Sequence, residues 1–173
     1  MFSGIPNIID LEASSLSSDS YPIEVGVVLH TGERYCALIM PDESWQDWDL
    51  EAEKVHQITK DVLQKYGKPV DKVVDELNAL LGNQTVYSDG WVVDDSWVKK
   101  LFYTAHKSPT FTVSTLELIL TEDQMEIWHE TKNKLLKGHE KERHRASFDA
   151  SLIQKTFIKT RKQTNLKQGL LTR

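Results

Sequence analysis

Apolar positions run through Asn7-Ile8-Ile9-Asp10-Leu11-Glu12, a stretch that reads as a buried strand yet carries two acids. Successive side chains of a strand point to opposite faces, so Asp10 and Glu12 share one face while Ile9 and Leu11 fill the other. Residues 22–30, with Ile23, Val25, Val27 and Val28, read as a second strand. Thr31-Gly32-Glu33 makes a tight turn, and residues 34–40 give a third strand ended by Pro41. The opening unit is thus an antiparallel meander whose first strand bears the acids.

The period then changes from two to 3.6. A loop over residues 42–49 carries Trp45 and Trp48, large aromatics expected to cap the core. Residues 50–56 read as a helix, and Thr59 caps a second one running to Tyr66, with Gly67 and Pro69 as stop signals. Val70, Val73, Val74, Leu77, Leu80 and Leu81 recur at helical spacing and predict a third, packed on the sheet. Residues 85–88 suit a short strand before the turn at Asp89-Gly90. From Asp94, the residues Trp97, Val98, Leu101 and Phe102 follow at i+3, i+4, i+7 and i+8, so Asp94 lies on the core-facing stripe of a helix over 94–103. Asp95 is rotated to the flank, where Lys99 at i+4 is its partner. A fifth strand is expected at 111–113, and Thr121 caps a helix through about Leu136 that Gly138 breaks. The last helix is expected from Arg145 or Ala146 to about Gln163. Its stripe is Ala146, Ala150, Ile153 and Phe157, with Asp149 on the same side and Lys155, Lys159 and Lys162 on the opposite one.

A length of 173 residues suits one domain over 1–173, with a basic, frayed tail expected from about residue 164. No apolar stretch reaches the length of a membrane span, and the N-terminus lacks a secretory pattern, so a cytoplasmic protein with no membrane partner is the expectation. The lone Cys36 is expected to be a buried free thiol. A formal charge of -5 conceals an asymmetry: residues 1–131 hold 23 acids and 9 bases, residues 132–173 hold 3 and 12. The basic segment suits either a solvated helix face or local attraction of a polyanion.

Periodicity therefore nominates four inward acids, Asp10, Glu12, Asp94 and Asp149. Like charges on a core surface repel and resist desolvation, and the usual neutraliser of clustered hard carboxylates is a divalent cation, Mg²⁺ or Mn²⁺. Four carboxylates around one point make a cage for two such ions, which hold an attacking water and the leaving oxygen of a phosphodiester. An imidazole near the cage would take the water's proton. The bland alternatives are that Asp94 is a helix N-cap and Asp149 a first-turn acid complementing its helix dipole.

In this arrangement the sequence resembles the DEDDh 3′-to-5′ exonucleases, which include RNase T, oligoribonuclease and polymerase proofreading subunits. Asp10-Leu11-Glu12-Ala13-Ser14-Ser15-Leu16 matches the first motif, Asp-x-Glu followed by small residues and Leu. Val93-Asp94-Asp95-Ser96-Trp97 matches the second, and His144-Arg145-Ala146-Ser147-Phe148-Asp149 the third, His-x-x-x-x-Asp. Residues 55–59 are similar to a helix-joining turn common between the first two. His56 and Asp61 share the His-x-x-x-x-Asp spacing but precede the second motif.

The resemblance implies an RNase H-like α/β fold, a mixed five-stranded sheet flanked by helices. It implies Asp10, Glu12, Asp94 and Asp149 as ligands of two ions, Mg²⁺ or Mn²⁺, and His144 as general base. Ala13, Ser14 and Leu16 are implied at the substrate, with Ala13 standing where a hydroxyl residue is usual and Ser15 where Gly is. The activity implied is release of nucleoside monophosphates from the 3′ end of single-stranded DNA or RNA. A non-catalytic nucleic-acid-binding or scaffold protein of the same fold is the rival reading, and loss of one acid or of the His would be its signature. An endonuclease of the same broad fold is a further rival, against which the His-x-x-x-x-Asp placement speaks.

Overall fold

The computed structural model describes residue 2 and residues 4–171. Five strands, β1 (Asn7–Ala13), β2 (Pro22–Val28), β3 (Arg34–Leu38), β4 (Thr85–Ser88) and β5 (Thr112–Thr115), form one sheet in the order β3-β2-β1-β4-β5. The first three pair antiparallel, and β4 and β5 add parallel to β1. Six helices flank it: α1 (Leu50–His56), α2 (Lys60–Tyr66), α3 (Val70–Leu81), α4 (Trp91–Thr104), α5 (Glu122–Leu136) and α6 (Ala146–Leu171). This is the mixed five-stranded α/β sheet flanked by helices that the resemblance implied. No helix among the described residues is long and apolar enough to cross a membrane.

Alternation along β1 assigns its side chains to two cores. Ile9 and Leu11 pack with Val73, Val74 and Leu77 of α3 and Leu101 and Phe102 of α4. Ile8 points the other way and packs with Ala150, Ile153 and Phe157 of α6 and Trp128 of α5. Burying a side chain such as Phe157 fully contributes about 1.5–3 kcal/mol, so α6 is held firmly on that face. Asp10 and Glu12 continue the Ile8 face toward the end of β1. Since β4 runs parallel to β1, both strands end at one edge of the sheet, and α4 starts there after the turn at Asp89-Gly90.

Close approach of α6 depends on Gly26. It stands opposite Asp10 in the β1–β2 register, and a Cβ at this position would lie 2.3 Å from the carbonyl carbon of Ala146 and from Ser147 N. Only a residue without a side chain lets the first turn of α6 rest on β2, and that turn carries Asp149.

Several boundaries differ from the sequence expectation. Helix α4 begins at Trp91 rather than Asp94, because the Gly90 carbonyl accepts from both Val93 N and Asp94 N. Strand β5 lies one residue later than expected, and Phe111 packs edge-on against Phe102 at 5.7 Å instead. Helix α6 continues past Gln163 to Leu171. Thr156, Thr160 and Thr164 return their hydroxyls to carbonyls one turn back along its buried side. Cys36 is exposed, not buried, since β3 is an edge strand of the sheet. Trp45 and Trp48 do pack on the core, with Trp45 stacked on Tyr21 at 5.0 Å.

Gly26→Ala should therefore destabilise the protein by about 1–3 kcal/mol, the usual cost of overpacking. In thermal unfolding each kcal/mol is worth about 2–4 °C at this chain length. An unchanged melting temperature would mean that α6 can retreat from β2 without loss.

Candidate active site

The edge where β1 and β4 end holds a cavity of about 250 Å³ whose lining includes Asp10, Glu12, Asp94, His144 and Asp149. Three separate elements and one loop supply these five. Asp10 and Glu12 come from β1. Asp94 comes from the first turn of α4, where its carboxylate accepts from the Ser88 hydroxyl at the end of β4. Gly90 is the N-cap, so Asp94 does not cap that helix. Asp149 lies in the first turn of α6 and accepts from the backbone N–H of His144 at 2.8 Å. His144 itself sits in the left-handed backbone region at φ +62°, in the segment leading into α6.

Burial raises the carboxylate pKa values, and mutual repulsion raises several further. Asp10 is held well above its ordinary value by desolvation first, then by Asp94, Asp149, Glu12 and Asp89. Glu12 is pushed up to about 8 by desolvation and by Asp149, Glu24 and Asp94, with Arg145 opposing. Asp94 rises to about 7, mainly through burial, against a lowering hydrogen bond from Ser88. Asp149 is also raised by burial, while the His144 backbone N–H opposes the rise. His144 moves the other way: desolvation and Arg143 lower it, outweighing Asp149, which favours the neutral imidazole.

A pocket that charges itself this way has the donor set of a hard divalent cation site. The four carboxylates are the groups that would hold Mg²⁺ or Mn²⁺. Glu12, His144 and Asp149 additionally bring one ligand atom each within 4.8 Å of one another.

The three positions expected at the substrate behave differently. Ala13 is buried at the end of β1, and Ser14 has no exposed surface. The Ser14 hydroxyl donates to Asp47 at 3.2 Å and accepts from Tyr21 N at 3.1 Å, which fixes the loop after β1 and commits its one donor within the protein. Leu16, in contrast, is 85 % exposed at the tip of that loop.

Other residues at the site went unnoticed in the sequence. Asp89 and Lys132 line the cavity and pair at 2.6 Å. Glu24, on β2 opposite Glu12, is fully buried and paired with Arg145. The available signal was a single acid inside a strand that is otherwise apolar on both faces. His56, set aside with Asp61 because the pair precedes the second motif, is buried. Its Nδ1 accepts from Ile58 N at 3.0 Å, and its Nε2 is a buried side-chain atom without a hydrogen-bond partner among the described residues.

Sheet order, flanking helices and an acidic pocket at the end of the first strand together define an RNase H-like α/β fold. Among solved structures, Escherichia coli exonuclease I in complex with a dA16 oligonucleotide is similar over 98% of this chain and 43% of that one, with TM-score 0.70 and 15% identity. The zinc-bound form of the E. coli exonuclease I complex with single-stranded DNA matches 66% of this chain and 28% of that one, with TM-score 0.56 and 13% identity. An apo exonuclease I structure matches 77% and 32%, with TM-score 0.57 and 13% identity. The chain thus spans less than half the length of these exonuclease structures, and at such identities the likeness is one of fold. No known protein family and no curated protein matches the sequence.

The raised pKa values fix the sign of a pH effect. Between about pH 4 and 8 the metal-free folded state holds more protons on Asp10, Glu12, Asp94 and Asp149 than the unfolded state does. The contribution of these groups to stability therefore falls as pH rises through that window. A divalent cation competes with those protons, so stabilisation by Mn²⁺ should be small at pH 5 and large at pH 8. Asp10→Asn should raise the metal-free melting temperature at pH 8, by about 2–4 °C per kcal/mol of repulsion relieved, and remove most of the Mn²⁺ response. Thermal unfolding with and without Mn²⁺ measures both; an Mn²⁺ shift that survives the substitution would place the ion elsewhere.

Proposed function

We propose that the chain is a divalent-metal-dependent 3′-to-5′ exonuclease that removes nucleoside monophosphates from single-stranded DNA or RNA. The observation that carries the reading is the convergence of four desolvated carboxylates and one imidazole on a single open cavity. The ordered motifs and the fold likeness to exonuclease I support it. Two divalent ions held by Asp10, Glu12, Asp94 and Asp149 would lower the pKa of water and neutralise charge on the phosphate.

The chain's own groups divide the remaining work. His144, beside Glu12 and Asp149, is in this reading the group that takes the proton of an attacking water. Lys132 and Arg143 line the same cavity and supply the positive charge that a phosphate oxygen needs. Leu16 offers an exposed apolar surface for a terminal base. On α6, Lys155 and Lys159 face solvent, where they suit attraction of the polyanion at longer range.

End-labelled single-stranded DNA and RNA, incubated with the purified protein with Mg²⁺, Mn²⁺ or a chelator, should shorten from the 3′ end only when metal is present. Asp10→Ala should abolish both activity and metal response. His144→Ala should keep the metal-dependent stabilisation but lower turnover by roughly 10² or more, the usual worth of a positioned base. Binding without shortening in any metal would instead favour a non-catalytic nucleic-acid-binding protein. Normal turnover by His144→Ala beside a dead Asp10→Ala would remove the imidazole from the mechanism and leave the metal site standing.

A further inference from the structure

Glu24 has no exposed surface, and its carboxylate faces the segment that enters α6. One oxygen accepts from Arg145 Nη2 at 2.6 Å, and both lie 3.2 Å from Arg145 Nε. The second oxygen also accepts from the backbone N–H of Ala146 at 2.8 Å. A buried carboxylate is tolerable only with such a set of charged and backbone donors, and the planar guanidinium fork fixes orientation as well as charge.

The residues so fixed are the immediate neighbours of His144. Arg145 follows it in the chain, and the His144 N–H donates to Asp149 at 2.8 Å. Between these contacts the His144 backbone holds a left-handed conformation that a residue with a side chain adopts only under constraint. A series of bonds therefore runs from Glu24 through Arg145 and Ala146 to the backbone of His144, and from there to the carboxylate of Asp149. Gly26, two residues along β2 on the same face, admits the backbone of Ala146 and Ser147 to the distance that this requires.

We infer that Glu24 is a positioning residue: its buried carboxylate and the half-exposed side chain of Arg145 form a clamp that sets the approach of His144 and the orientation of Asp149. The kinetic consequence rests on the exonuclease reading of the cavity; the clamp itself does not.

Glu24→Gln, Arg145→Ala and the double variant test it. Kinetics on a single-stranded oligonucleotide at saturating Mn²⁺ are read beside hydrogen exchange of the amides of residues 143–146. Each single variant should lose about tenfold or more in kcat with KM within about twofold, because binding groups elsewhere in the cavity are untouched. The double variant should be no worse than the poorer single one, as expected of two residues acting as a unit. Millimolar guanidinium should restore part of the kcat of Arg145→Ala and none of that of Glu24→Gln, and the His144 and Ala146 amides should exchange at least tenfold faster in all three. If Glu24→Gln does not fold, Arg145→Lys, which keeps the charge but loses the fork, should show an intermediate kcat and intermediate exchange. Unchanged kcat in folded variants, multiplied losses in the double variant, or unchanged exchange would each overturn the clamp. A wild-type protein without metal-dependent hydrolysis would overturn the exonuclease reading instead, and the exchange measurement would then decide the clamp alone.

Discussion

Repulsion among desolvated carboxylates is the constraint on which the structure depends. Asp10, Glu12, Asp94 and Asp149 share a cavity in which burial and mutual charge push their pKa values upward. Such a cluster opposes folding above about pH 4, so the surrounding scaffold must be stable enough to absorb its cost. Two apolar cores on opposite faces of the sheet supply that stability and isolate the strain at one edge. The pattern is that of a site kept for chemistry at the expense of stability.

Topology explains why the acids meet. A parallel pairing of β4 with β1 brings the ends of both strands to the same edge, and α4 begins within a two-residue turn of that edge. On the opposite side of the sheet, α6 descends onto β2 over a glycine, and its first turn delivers Asp149. Glu12, Asp94 and Asp149 therefore lie near the start or end of a regular element and Asp10 at the middle of β1, so a backbone already fixed by many hydrogen bonds aims each side chain. Ser88 ties the Asp94 carboxylate back to β4, so even the helix-borne acid is referred to the sheet.

Periodicity exposed this much because inward acids violate it. Asp10 and Glu12 interrupt an apolar strand, and Asp94 and Asp149 interrupt apolar helical stripes, so each stood out against its own neighbours. Glu24 violates β2 in the same way and was passed over, since its neutralising partner, Arg145, is 121 residues away and no local pattern links them. Asp89 escaped because a turn residue of that type is ordinary. Cys36 misled because an apolar run implies burial only where a second layer covers every position, and β3 lies at the edge of the sheet. Ser14 misled for a related reason: its hydroxyl was available in the sequence but is bonded by Asp47, across a loop whose shape no period reveals.

Seen together, the acids and the imidazole are held by two different means. The carboxylates sit on strands and helices, which suits groups that must repel each other and yet keep fixed positions around cations. His144 sits on a loop segment between the 3₁₀ turn Glu140–Glu142 and α6, in a left-handed conformation that local backbone preference disfavours. In the proposed reaction a base would approach water and then release a proton, which suits a loop, but an untethered loop would lose the alignment on which proton transfer depends. The bonds on either side of His144 resolve that conflict: the Asp149 carboxylate takes its backbone N–H, and Glu24 takes the two residues after it. Placement of the imidazole thus depends on a carboxylate of the cavity and on a second, buried one behind it, so one type of side chain does two opposite jobs within the same face of the sheet.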